Sequence, residues 1–272
     1  MRGARFEIAM AIPVVLLLAL LSAIPTTAQD PSPPPAETHA PQADQGAAPG
    51  ADTPREQFQS AVQQGNREAA VEAARLIAED LRSSLAKRPA DLAAALDGLA
   101  IQLFQEAEGD AAARAAEALL REALALRRQM FGLKHLEVAK SLDTLSTFHY
   151  FTGRLDDAEA EERQALQLRE ALLPHDDLLI ARARDGLGTI LTKQGRFGEA
   201  EPLLQQALDT FKAARPADPA TISDSLNVLA ELARSRGDRD AAEARFKAAL
   251  AALGDENAPR PPAGALPAAQ AG

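Results

Sequence analysis

Leu187-Gly188-Thr189-Ile190-Leu191-Thr192-Lys193-Gln194-Gly195-Arg196-Phe197-Gly198-Glu199-Ala200-Glu201-Pro202-Leu203-Leu204-Gln205-Gln206-Ala207-Leu208 decides how this 272-residue chain is read. A Leu-small pair, a Gly, an Ala-Glu pair and an Ala-Leu pair follow one another at set distances. The same landmarks stand upstream at Leu145-Ser146, Gly153, Ala158-Glu159 and Ala165-Leu166. They stand again downstream at Leu229-Ala230, Gly237, Ala242-Glu243 and Ala249-Leu250, with one constant spacing of 42 throughout. A fixed period of this length marks a stacked repeat, in which each unit buries its apolar face only against its neighbours.

Working outward, an earlier copy has Leu99-Ala100, Ala116-Glu117 and Ala123-Leu124, but its halves stand 17 apart instead of 13. Four residues are therefore inserted near Glu106–Ala111, at the turn or as one extra helical turn. Phe58 to Leu85, with Gly65 and Ala70, reads as a degenerate first copy, as expected of a terminal repeat.

Each copy reads as helix, Gly turn, helix. Asp176 or Asp177 can cap one first helix, and Asp218-Pro219 places a cap before a Pro at the first helical position of another. Gly153, Gly195 and Gly237 suit the left-handed residue that ends a helix. Pro202 is expected in the first turn of its helix, where a missing N–H costs little. Ser146, Gly188 and Ala230 leave room for close helix packing against Ala158, Ala200 and Ala242 and against Ala165, Ala207 and Ala249. Composition agrees: hydrophobic residues make up 46% but aromatics only 4%, with no Trp, so the chain favours helices rich in Ala and Leu over an aromatic core.

This pattern resembles the tetratricopeptide repeat in the 42-residue form of kinesin-light-chain-like proteins, well over residues 90 to 253 and weakly over 54 to 89. His135-Leu136-Glu137-Val138-Ala139 adds to the resemblance. It implies an all-α, right-handed superhelical solenoid of about five antiparallel helix pairs, with the first helices lining a concave groove that holds a protein or peptide. Glu162 departs from the family pattern, standing where Leu120, Leu204 and Phe246 put bulky apolar groups in the other copies, and predicts looser packing there.

The ends read differently. Arg2 and Arg5 precede an uncharged run from Ile8 to Ile24, then Thr26-Thr27-Ala28. This is the order of a cleaved export signal over residues 1–28, cut after Ala28; the alternative is an uncleaved anchor, short for a bilayer and broken by Pro13. Either way the remainder is expected outside the cytoplasm: periplasmic or extracellular, or anchored to the inner membrane and facing the periplasm. Residues 29–53 and 254–272, rich in Pro and Ala, read as disordered, leaving 54–253 as the repeat domain.

Periodicity also picks out a face. Two residues before each landmark Leu stand Asp97, Asp143, Asp185 and Asn227, a ladder that can hold peptide N–H groups or pair along its own helix with Lys140 and Arg182. Beyond it lie Ile101, Thr147, Thr189 and Glu231, then Phe104, Tyr150, Phe151, Lys193 and Arg234. A groove of these residues is apolar at its N-terminal half and charged at its C-terminal half, suiting a peptide with an apolar anchor and a mixed-charge flank. The Asp ladder argues against capture of a C-terminal carboxylate.

The remaining chemistry is sparse. There is no Cys, excluding disulfides, thiolate nucleophiles and Cys-ligated metals. The four histidines, His39, His135, His149 and His175, show no metal-ligand spacing. Gly195-Arg196-Phe197-Gly198 lacks the Lys-Ser/Thr of a phosphate loop, and no nucleophile–base constellation appears. A net charge of −10 disfavours nucleic acid. The expectation is an exported, monomeric, non-enzymatic binding scaffold with no cofactor or metal, and no membrane contact unless the N-terminal segment stays uncleaved. The alternatives are a membrane-anchored accessory subunit of an export or envelope-assembly machine and, more remotely, an enzyme on a helical scaffold.

Overall fold

The structure, a computed structural model, describes residues 53–254. The segment expected to be an export signal and both Pro-rich ends lie outside the described residues, apart from Thr53 and Gly254. Among the described residues, ten helices form five hairpins: α1 Pro54–Gln63 with α2 Arg67–Ser84, α3 Pro89–Glu106 with α4 Asp110–Phe131, α5 Leu136–Phe151 with α6 Leu155–Leu172, α7 Leu178–Lys193 with α8 Phe197–Ala213, and α9 Pro219–Ser235 with α10 Arg239–Gly254. Each helix packs on its hairpin partner and on the next helix in the chain, and α7 also reaches α9 and α2 reaches α4. At these two places a first helix neighbours a first helix and a second helix a second. Among the described residues no helix is long and apolar enough to cross a membrane.

Local chemistry explains the boundaries. Thr53 caps α1 with a reciprocal capping box to Glu56. Asp177, rather than Asp176, caps α7 by accepting from the Leu179 N–H at 2.7 Å. Asp218 caps α9 by accepting from Ala220 and Thr221, with Pro219 at the first position. His135 caps α5, its Nδ1 accepting from the Glu137 N–H at 3.1 Å while its ring stacks on Phe131. Gly153, Gly195 and Gly237 sit at φ of 79°, 79° and 85°, the left-handed region where a side chain is strained.

One expectation is refined and two are corrected. The four-residue insertion is an extra turn of helix: α4 has 22 residues where α6 has 18. Glu162 does not loosen its repeat, because it is buried against Gly186 of α7. A Cβ there would lie 3.0 Å from Glu162 Oε1, so the missing side chain makes the room. Pro202 is not in the first turn. Because α8 begins at Phe197, directly after the Gly195 turn, Pro202 falls inside the helix and forfeits the bond to the Gly198 carbonyl. Gly198 is exposed, so that carbonyl can turn to water.

The glycines of the helices divide by what surrounds them. Gly98, on the exposed side of α3, has nothing within 4 Å of a built Cβ. Gly98→Ala is therefore expected to stabilise the fold by up to about 1 kcal/mol through helix propensity and a less entropic unfolded chain. Thermal melting checks this; a lower midpoint would contradict the open environment.

Candidate interaction face

The first helices α3, α5, α7 and α9 carry every residue that periodicity assigns to the face, and the structure sorts them into scaffold and surface. The acidic ladder belongs largely to the scaffold. Asp97 receives the buried Arg127 of α4 at 2.7 Å, and Arg127 continues to the Ser141 hydroxyl of α5 at 2.7 Å. One repeat on, Asp143 takes both terminal nitrogens of buried Arg169 of α6, Nη1 at 2.8 Å. The pairing runs across the hairpin to the second helix, not along the first helix to Lys140 or Arg182. Arg127 and Arg169 are one period apart and occupy the same repeat position, which Phe211 and Leu253 fill afterwards.

Asp185 therefore has no such arginine. Its carboxylate instead accepts from the Ser225 hydroxyl of α9 at 2.8 Å. Burial pushes its pKa up to about 6; neighbouring Asp224 adds to the rise, while Ser225 and Arg182 oppose it. Between about 3.8 and 6 the folded chain holds a proton that the unfolded chain has lost. This group's stabilisation is thus complete below its unfolded pKa and fades as pH rises through the folded one. Asp185→Asn is expected to be near neutral at pH 4 and stabilising at pH 7 by up to roughly 3 kcal/mol. Urea unfolding at both pH values measures the difference; an equal effect at both would contradict the assignment.

The second hairpin to carry the ladder also encloses the densest buried charge. Glu162 is pushed well above the usual carboxylate range, first by burial and then by Asp143, with Ser146 and Arg169 opposing. The Ser146 hydroxyl donates to the Ala158 carbonyl at 3.0 Å. Glu159, Glu162 and Arg169 are all buried on α6. The apolar core divides there. One cluster runs from Phe58 to Phe148 and ends at Ala165, and a second begins at Leu166 and continues through α7 to α10.

The recurring Ala-Glu pair has a structural role that its sequence pattern did not disclose. Glu117, Glu159 and Glu201 accept from Arg154, Arg196 and Arg236 of the next hairpin's turn, each at 2.6 Å. These clamps tie successive hairpins along one edge. His149 is buried beside the first of them, Nδ1 at 2.6 Å from Glu161 and Nε2 at 3.3 Å from Glu117, spanning α4, α5 and α6. It is a cross-brace; no group of metal-ligating side chains occurs among the described residues.

What remains on the face is less committed. Ile101, Thr147 and Asn227 are half-buried, and no hydrogen bond from Thr147 or Asn227 side chains occurs among the described residues. Phe104 packs edge-on to Phe148 at 5.0 Å, and Tyr150 edge-on to Phe151 at 5.4 Å, so part of each ring is spent on packing. Burial raises the Tyr150 pKa. The Thr189 hydroxyl returns to the Asp185 carbonyl, and Glu231 pairs with Arg234. Lys140, Arg182 and Lys193 make no ion pair among the described residues. At the N-terminal end a cavity of about 350 Å³ opens between α1, α2 and α3, lined by Phe58, Ile77, Leu81 and Leu99, by Ala95 and Gly98, and by the polar Arg55, Gln59 and Gln102.

Comparison with known proteins places this architecture. A family model described as tetratricopeptide repeat matches residues 148–213 and 179–255, and a second of the same description matches 112–137. The chain carries tetratricopeptide repeats. No curated protein matches its sequence. Among solved structures, BtubC (BKLC) from P. vanneervenii is similar at 19% identity and a TM-score of 0.56, over 82% of this chain and 98% of that one. A putative kinesin light chain from Podosopora anserina with nearly identical TPR-like repeats is similar at 19% identity and a TM-score of 0.53, over 75% and 95%. At such identities the likeness establishes the fold. Tetratricopeptide repeats are protein-interaction modules, generally without catalysis, so the functional question is which surface of this one is used, and by what.

Proposed function

We propose that this tetratricopeptide-repeat protein is an exported scaffold whose first-helix face forms a groove for a partner's peptide segment, with an apolar anchor toward α1–α3 and acidic residues toward α5–α7. The observation that carries the reading is the unequal fate of the charges on that face. Asp97 and Asp143 are neutralised by Arg127 and Arg169, whereas Lys140, Arg182 and Lys193 have no ion-pair partner among the described residues of a chain of net charge −10. Two members of the ladder thus repel a carboxylate less than the sequence implies; Asp185 keeps no arginine, and Lys140, Arg182 and Lys193 are the cations left without an ion pair over α5 and α7 among the described residues. Long-range attraction of that kind speeds encounter and selects partners more than it adds affinity. The cavity beside Gly98, where Phe58, Ile77, Leu81 and Leu99 stand beside the polar Gln59 and Gln102, offers a place for the anchor.

Export rests on the order of charge, apolar run and small residues at the N-terminus. Sequencing the N-terminus of the purified protein reads it directly: a start at Gln29 fits a free periplasmic or extracellular scaffold, and an intact Met1 or Arg2 in the membrane fraction fits the anchored version. Binding is tested by capture from envelope extract with the wild-type chain and with Lys140→Glu/Arg182→Glu/Lys193→Glu. A protein held by the first and lost by the second, at equal thermal stability, is expected. Equal retention by both would remove the face from the account.

A further inference from the structure

We infer that α10 is a pairing surface for a second copy of this chain, joining two solenoids end to end at their C-terminal hairpins. Leu124, Leu166, Leu208 and Leu250 occupy one equivalent site on successive second helices. The first three are 7%, 8% and 2% exposed, because the next hairpin covers them, whereas Leu250 is 71% exposed. Three residues on, Arg127, Arg169 and Phe211 are buried, whereas Leu253 is 41% exposed. The last hairpin therefore presents the stacking surface of an interior repeat with nothing stacked on it among the described residues. A terminal repeat is normally made soluble by a polar outer face, which these leucines deny to α10.

Among residues 255–272, the far end of a second copy and the same end of a second copy, the chain's own features favour the last as the cover. Residues 255–272 follow α10 directly, but Pro259, Pro261, Pro262 and Pro267 prevent them from supplying a helix of hairpin length, and Leu266 is their one large apolar residue. The far end of another copy is a poor match. Among the described residues no large apolar side chain is exposed before Phe131, and α1 presents exposed Gln57, Gln59 and Gln63. Head-to-tail stacking into an open filament would therefore set leucine against glutamine. Tail-to-tail pairing about a twofold axis sets Leu250 and Leu253 against the same residues and closes the assembly. Two 16-residue helices, each about 24 Å long, bury less than the roughly 1,200–2,000 Å² of a standard stable interface. The pair is accordingly concentration-dependent, and it would carry two grooves, giving avidity toward a partner with repeated segments.

The absence of native Cys makes the test clean. Lys247→Cys in the full chain, treated with a mild disulfide-forming oxidant at increasing protein concentration, is expected to give a covalent dimer, and adding Leu250→Glu is expected to reduce its yield at least tenfold. Gln59→Cys is expected to give little dimer. Crosslinking of the Lys247→Cys chain that ignores Leu250→Glu, or that is no greater than that of the Gln59→Cys chain, overturns the inference. Crosslinking that appears only when residues 255–272 are removed also overturns it, by assigning the cover to the chain's own tail.

Discussion

Gly188→Leu is expected to lower the stability of the repeat domain by roughly 3 kcal/mol or more and its melting midpoint by about 6–12 °C. A Cβ at Gly188 would lie 2.6 Å from Leu204 Cγ, 2.7 Å from Leu204 Cδ2 and 3.3 Å from the Ala200 carbonyl oxygen. Leu204 is fully buried, so it has no open space into which to turn. The new side chain gains up to about 1 kcal/mol of helix propensity over Gly, which is too little to offset forcing α7 from α8. The small position of the Leu-small landmark is thus a steric requirement of this hairpin. Ser146 meets the same need differently, by donating to the Ala158 carbonyl across the crossing. Circular-dichroism melts of the variant and wild type give the answer, and an unchanged midpoint would contradict the alignment of the repeats.

Arg169→Met is expected to cost about 3–5 kcal/mol at neutral pH. Arg169 is the cation bound to Asp143 in a cluster that also contains buried Glu162, and its loss leaves a partly buried carboxylate without a counter-charge. Burial already raises the Asp143 pKa, with Arg169 opposing the rise. Without the arginine, Asp143 protonates more readily. Sign follows from linkage: the variant's deficit should shrink as pH falls and the stranded carboxylate takes up a proton. Replacing Asp143 and Glu162 by Leu together with Arg169→Met should recover much of the loss, since apolar groups of similar volume often substitute for a buried ion cluster. Urea titrations at two pH values measure each step. A loss under about 1 kcal/mol for the single variant would show that Asp143 is solvated rather than held by Arg169.

Much of the fold was legible because a solenoid repeats its local rules. The Gly turns and the small residues at helix crossings recur at one spacing, the Asp caps stand ahead of their helices, and each has a short-range physical cause. The extra turn of α4 was legible as an insertion, though not as helix, because four inserted residues fit either a loop or one helical turn. The charge pairing was hidden for the opposite reason. Asp97–Arg127 and Asp143–Arg169 join positions 30 and 26 apart, and the arginine site becomes Phe211 and Leu253 further along. No period announces a partner that changes identity. Pro202 misleads because the Gly195 turn sets the start of α8, several residues before the place a proline alone suggests. Glu162 was legible as a departure from the pattern, but not the room that Gly186 leaves for it across a helix contact.

The central claim is that a partner is held on the first helices and not on the outer wall. Site-specific photocrosslinking tests it most directly, with a photoreactive residue placed singly at Thr147 or Thr189 on first helices and at Gln164 or Gln206 on second helices. One envelope protein is expected to crosslink from Thr147 and Thr189 and from neither glutamine. Crosslinks from Gln164 and Gln206 alone would contradict the claim and move the binding surface to the second helices.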